Sequence, residues 1–162
     1  MINQDDYLQL LDLTYQVAQS LKGKTAPDHR LRDCNELAAK LFFHAATIYW
    51  LRQGTKAPVP EPEGAFFYDL ASVTVITRSA LETYLTMFEL FFEPVTDDER
   101  EFRHALWLLS GFVIREDYVP YDPTLKDRIA NSQREIEEMR ARIESTATFA
   151  SLTDRQKRNA LK

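Results

Sequence analysis

Residues 66 to 92 form the longest nearly apolar stretch of the chain, interrupted only by Asp69, Arg78, Glu82 and Glu89. Within it Leu70, Val73, Thr77, Leu81, Tyr84, Phe88 and Phe91 recur at steps of three and four, the period of one helix face. A helix this apolar needs cover from its neighbours. The pattern therefore predicts an all-α protein: an antiparallel bundle of five to six helices around a central helix from about 66 to 92. The four charges keep the stretch short of the ~20 uninterrupted apolar residues of a membrane span. Pro94 ends it.

The surrounding chain reads as helices separated by prolines. Helix one spans about 4 to 22, with Asn3 suited to its N-cap and Tyr7, Leu10, Leu11, Val17, Ala18 and Leu21 on one face. Helix two spans about 30 to 53, with a seam of Leu31, Cys34, Ala38, Leu41, Ala45 and Ile48. A second stripe of Phe43, Ala46 and Trp50 predicts deep burial or an interface for its later half. Pro58, Pro60 and Pro62 enforce an extended connector. Thr96-Asp97-Asp98-Glu99 opens helix four, which carries Phe102, Leu106, Leu109 and Val113 inward and runs out near Asp117.

Helix five, about 124 to 150, has a narrow stripe of Leu125, Ile129, Ile136, Met139 and Ile143 among polar residues. Such a stripe predicts an outer helix or a coiled-coil partner. Thr153-Asp154-Arg155-Gln156 reads as a capping box for a sixth helix. A helix opened so close to Lys162 suggests a fragment, or a last helix that completes a neighbour's surface. The 162 residues are read as a single helical domain.

Four glycines leave little material for phosphate-cradling loops, and a net charge of -5 disfavours non-specific nucleic-acid binding. No Walker loop, dinucleotide fingerprint, nucleophile elbow or cysteine-pair metal motif occurs. The lone Cys34 and the acidic start Asn3-Gln4-Asp5-Asp6 fit a cytoplasmic protein without a signal peptide. No cofactor is expected.

The candidate site residues are Arg78, Glu82, Arg103 and His104. Arg78 and Glu82 stand four apart on the central helix, where their side chains can meet. They form either a surface ion pair or a semi-buried pair facing a cleft that binds an anion or positions a base. Glu101 and His104 have the Glu-x-x-His spacing of di-iron bundles, but no second such motif accompanies them, so no metal site is assigned. His104 with Arg100, Arg103 and Trp107 offers a cationic, aromatic surface for phosphate or a nucleobase. The competing reading pairs Arg103 with Glu99 and puts Trp107 in the core. Ser72, Ser79 and Thr86, seven apart on the central helix, predict close helix approach.

The run Arg78-Ser79-Ala80-Leu81-Glu82-Thr83-Tyr84-Leu85, preceded by Asp69 and Ser72, resembles the central helix of a bacterial family of helical proteins of unknown function. Phe102-Arg103-His104-Ala105-Leu106-Trp107 resembles that family's second element, so the likeness covers about 69 to 111. More distantly, the arrangement is similar to the HEPN superfamily of helical bundles, many of which act on RNA in toxin or phage-defence systems. Its ribonucleases carry Arg, four to six residues, then His. No arginine stands at that spacing before His29, His44 or His104; Arg100 lies only four before His104. The resemblance therefore implies a non-catalytic or differently catalytic member.

Two function classes follow. One is a binding or interaction module in a defence or toxin-antitoxin-like system, forming a homo-oligomer or docking a protein through the helix-five stripe or Phe43 and Trp50. The other is an enzyme acting on RNA or nucleotides, which requires Arg78, Glu82, Arg103 and His104 to share one cleft.

Overall fold

The structure, a computed structural model, describes residues 3–21, 23–24, 28–57, 65–116 and 126–161. It divides into two compact units, Met1–Phe88 and Glu89–Lys162. Among the described residues the chain is all-α, apart from one short ribbon. The three prolines of the connector, and also Asp117 and Leu125, lie outside the described residues.

The first unit contains α1 (Gln4–Leu21), α2 (His29–Leu51), β1 (Thr55–Ala57), β2 (Ala65–Phe67) and α3 (Leu70–Met87). Asn3 caps α1 by accepting from the Asp6 amide, and Asp28 caps α2 by accepting from the Arg30 amide. Strands β1 and β2 pair antiparallel, with Thr55 opposite Phe67, and turn the chain back between α2 and α3. Gly54 enters this ribbon at φ +83°, a left-handed conformation that suits glycine.

Helix α3 begins later than the apolar run predicts. Ala65, Phe66 and Phe67 pair with β1 instead. Asp69 then acts as N-cap, accepting from the Ser72 amide at 2.9 Å and the Ser72 hydroxyl at 2.6 Å. A single π-helical turn, Phe88–Phe92, follows the helix.

The side of α3 that packs is the small one. Contacts between α2 and α3 dominate the unit. The inward residues of α3 are Ser72, Ile76, Ser79, Thr83 and Thr86, at alternating steps of four and three. Thr83 is only 4% exposed. Leu37, Leu41, His44 and Ile48 of α2 are buried or half-buried, and the Ser79 hydroxyl meets His44 Nε2 at 3.2 Å. Large side chains of one helix thus enter the gaps left by small ones of the other.

Burying hydroxyls this way requires partners for them. Thr83 and Thr86 donate to the carbonyls of Ser79 and Glu82, four residues back on the same helix. The other side of α2 carries α1, through Tyr7 donating to the Ala45 carbonyl, Tyr7 stacked on Tyr49, and Tyr15 beside Phe42.

The second unit contains α4 (Asp97–Glu116), α5 (Lys126–Glu144), α6 (Ala147–Ala150) and α7 (Asp154–Ala160). Its core is Ala105 and Leu109 of α4 against Ile136, Met139 and Ile143 of α5, flanked by Phe102, Phe112, Val113 and Phe149. The helix-five stripe, expected on an outer helix or at a partner, is thus used inside this unit wherever its side chains are described. Arg142 reaches Glu101 from α5 to α4 at 2.9 Å. The capping box on α7 forms as predicted, between Thr153 and Gln156.

Asp98 ties α4 to the start of α6. Its carboxylate accepts from the Ala147 amide, the Thr148 amide and the Thr148 hydroxyl at 2.9, 2.8 and 2.6 Å. These bonds, the Thr148 hydroxyl first, hold its pKa below the usual carboxylate range. A depressed folded-state pKa stabilises above the unfolded value of about 4 and is lost as pH falls through the folded value. Thermal melts of wild type and Asp98→Ala should therefore differ at pH 7 and converge as pH falls below about 4. A gap that stays constant down to pH 2 would contradict this role.

Candidate functional site

The four residues singled out for chemistry fall into both units. Arg78 and Glu82 lie on α3 in the first, Arg103 and His104 on α4 in the second. Arg78 Nε bonds Glu82 Oε1 at 2.8 Å, with the side chains 81% and 61% exposed. That is the surface ion-pair reading: both charges are hydrated and hold each other weakly.

Arg103 donates to Glu99 at 2.7 Å, as the i,i+4 spacing predicts, and also pairs with Glu93. The two carboxylates raise the Arg103 pKa, Glu93 most, and Arg103 in turn lowers that of Glu99. His104 is fully buried at 0% exposure, between the rings of Phe91 and Trp107 with centroids 6.1 and 6.0 Å away. An imidazole so placed is a core side chain. Glu101 of the Glu-x-x-His pair is held by Arg142. Among the described residues no group of three His, Cys, Asp or Glu is arranged to hold a metal ion.

The distinctive surface lies elsewhere, in the first unit. Its one buried apolar residue among those described is Leu37, the other buried positions being Asp33 and Thr83. Among the described residues twenty large hydrophobic ones are exposed; Phe92, Val95 and Ile114 belong to the second unit, which leaves seventeen in the first. Large apolar residues on a surface are ordinary when scattered, but a contiguous patch marks an interaction site.

Several of these residues share one side of α3. Because its small side faces α2, its large side faces out: Leu70, Leu81, Tyr84, Leu85 and Phe88 are all exposed, Leu81 by 56%. This reverses the face that sequence periodicity assigned to the core. Val73, of that predicted face, is half-buried, while Thr77 is exposed. The signal that marks the true inner side is the small-residue stripe of Ser72, Ser79 and Thr86, all half-buried.

On α2, Phe43 and Trp50 are 65% and 66% exposed. Within this chain they are an uncovered aromatic stripe rather than core. Between α1 and α2 lies an open groove of about 470 Å³ walled mainly by Tyr15, Val17, Ala38, Ala39, Phe42 and Phe43. Small-molecule sites pair apolar walls with several convergent polar groups. Here the polar contribution is limited to Thr14, Gln19 and Asn35, and Thr14 already donates to the Leu10 carbonyl. A groove of this kind suits an apolar side chain of a protein partner better than a polar metabolite.

No helix among the described residues is long and apolar enough to cross a membrane.

These placements rank the candidates by stability. Arg78→Ala should change the unfolding free energy by less than about 0.5 kcal/mol. His104→Ala, which empties a packed site, should cost roughly 2–4 kcal/mol. Urea denaturation of the two variants checks this, and the opposite ranking would refute the placement. No family model matches this chain, and no curated protein or solved structure matches it either.

Proposed function

We propose that this chain is a cytoplasmic protein-interaction module whose first unit is completed by a partner. The observation that carries the reading is the inverted exposure of α3, where Thr83 is 4% exposed and Leu81 56%. Apolar burial is the dominant favourable term in folding, at about 25 cal/mol per Å². A unit with seventeen large apolar residues exposed among those described has apolar area left to bury on association.

In the assembled state α3 becomes the central helix of a bundle, flanked by α2 on its small side and by the partner on its large side. The aromatic stripe of Phe43 and Trp50 and the groove beside α1 extend the apolar surface around α2. The resemblance of residues 69 to 111 to bacterial helical proteins, and more distantly to HEPN bundles, suggests a defence or toxin-antitoxin-like setting. The alternative, an RNA- or nucleotide-directed enzyme using Arg78, Glu82, Arg103 and His104, finds no support in the exposed Arg78–Glu82 pair or the enclosed His104.

Light scattering combined with binding of a hydrophobic dye tests the reading. The purified chain should be either a defined oligomer or a monomer that binds the dye strongly. A monodisperse monomer that leaves the dye dark would refute it.

A further inference from the structure

The outward side of α3 has a regular seam. Leu70, Thr74, Thr77, Leu81, Tyr84 and Phe88 follow one another at steps of four, three, four, three and four. All six are exposed. That alternation is the heptad spacing by which one helix packs along another. The same helix therefore carries two seams, a small one used against α2 and a large one left open.

The step pattern reads identically from either end. Laid against a reversed copy of itself, with the two-fold axis level with Ser79, the seam sets Leu70 against Phe88, Thr74 against Tyr84 and Thr77 against Leu81. Two of these three layers join a small side chain to a large one, the alternation that lets facing layers interdigitate. At the edge, Ala71 falls beside Leu85 of the second copy in the same small-to-large manner.

A parallel pairing would instead put Tyr84 on Tyr84 and Thr77 on Thr77. It would also align the two helix dipoles, which the reversed pairing opposes. Arg78 and Glu82 lie along one rim of the seam, where their mutual ion pair stays in water. In the reversed arrangement Arg78 sits two residues along the axis from both Glu82 and Arg78 of the second copy, and each arginine keeps the ion pair with Glu82 of its own helix.

The area suffices. Leu70, Leu81, Tyr84, Leu85 and Phe88 expose on the order of 500 Å² together, given about 200 Å² for a large side chain. Two copies then bury roughly 1,000 Å², the size at which specific association begins.

Resting on the interaction reading above, we infer that the partner of this surface is a second copy of the chain, joined through an antiparallel, isologous α3–α3 contact centred at Ser79. The seam is self-complementary in size and in step pattern, which a surface shaped for an unrelated protein need not be.

The test uses the full chain with Cys34→Ser, spin-labelled at a single introduced cysteine, together with its mass by sedimentation. With Arg78→Cys, one residue from the axis, the labels of the two copies should lie within about 20 Å. With Ala71→Cys, eight residues from the axis, they should be sixteen residues apart along it, about 24 Å before any lateral offset. A dimer with the short distance at 78 and the long one at 71 is the expected result. Two short distances mean parallel pairing and two long ones a different face; either overturns the inference. A monomer at about 100 μM overturns it as well. If that monomer binds the hydrophobic dye the interaction reading still stands; if it does not, both fall.

Discussion

The close approach of α2 and α3 is the contact on which the first unit depends. It is made possible by the five small or β-branched inward positions of α3, from Ser72 to Thr86. Their hydroxyls find partners locally: Thr83 and Thr86 bond back to their own helix, Ser72 bonds Asp69 and Ser79 bonds His44. With those groups satisfied, polar side chains line a packed seam without the cost of an unmade hydrogen bond. The consequence is geometric. A helix has one circumference, and spending its small side inward leaves Leu70, Leu81, Tyr84 and Phe88 outside.

The second unit is built the other way. There α4 and α5 bury their large residues, Leu109, Ile136, Met139 and Ile143, and leave charge outside. The polar contacts lock that arrangement: Arg142 with Glu101, Asp98 on α6, and Arg103 between Glu93 and Glu99. His104, which has the residue type of a catalyst, serves as packing between Phe91 and Trp107. One chain thus holds a unit with an inward core and a unit with an outward one. The asymmetry is the reason to place function on the first.

Much of this was legible in the residues. The all-α class, the caps at Asn3, Thr96 and Thr153, and the Arg103–Glu99 pair follow from spacing alone. Periodicity also found both faces of α3, because it reports which residues share a side. It does not report which side turns inward. Hydrophobicity assigned the large face to the core, and the tertiary contact chose the small one. The β1–β2 ribbon escaped because three-residue strands leave almost no alternation to read, and the prolines between them suggested a simple connector. The role of His104 escaped because burial comes from neighbours such as Phe91, on a different turn of chain.

The orientation of α3 can be measured directly by hydrogen–deuterium exchange on two charge insertions, Thr83→Arg and Leu81→Arg. If the small seam holds the unit together, Thr83→Arg strips amide protection from both α2 and α3. Leu81→Arg then leaves the two helices more protected than Thr83→Arg does. The reverse ranking, with protection surviving at Thr83→Arg and collapsing at Leu81→Arg, would put the large face inside and contradict the account.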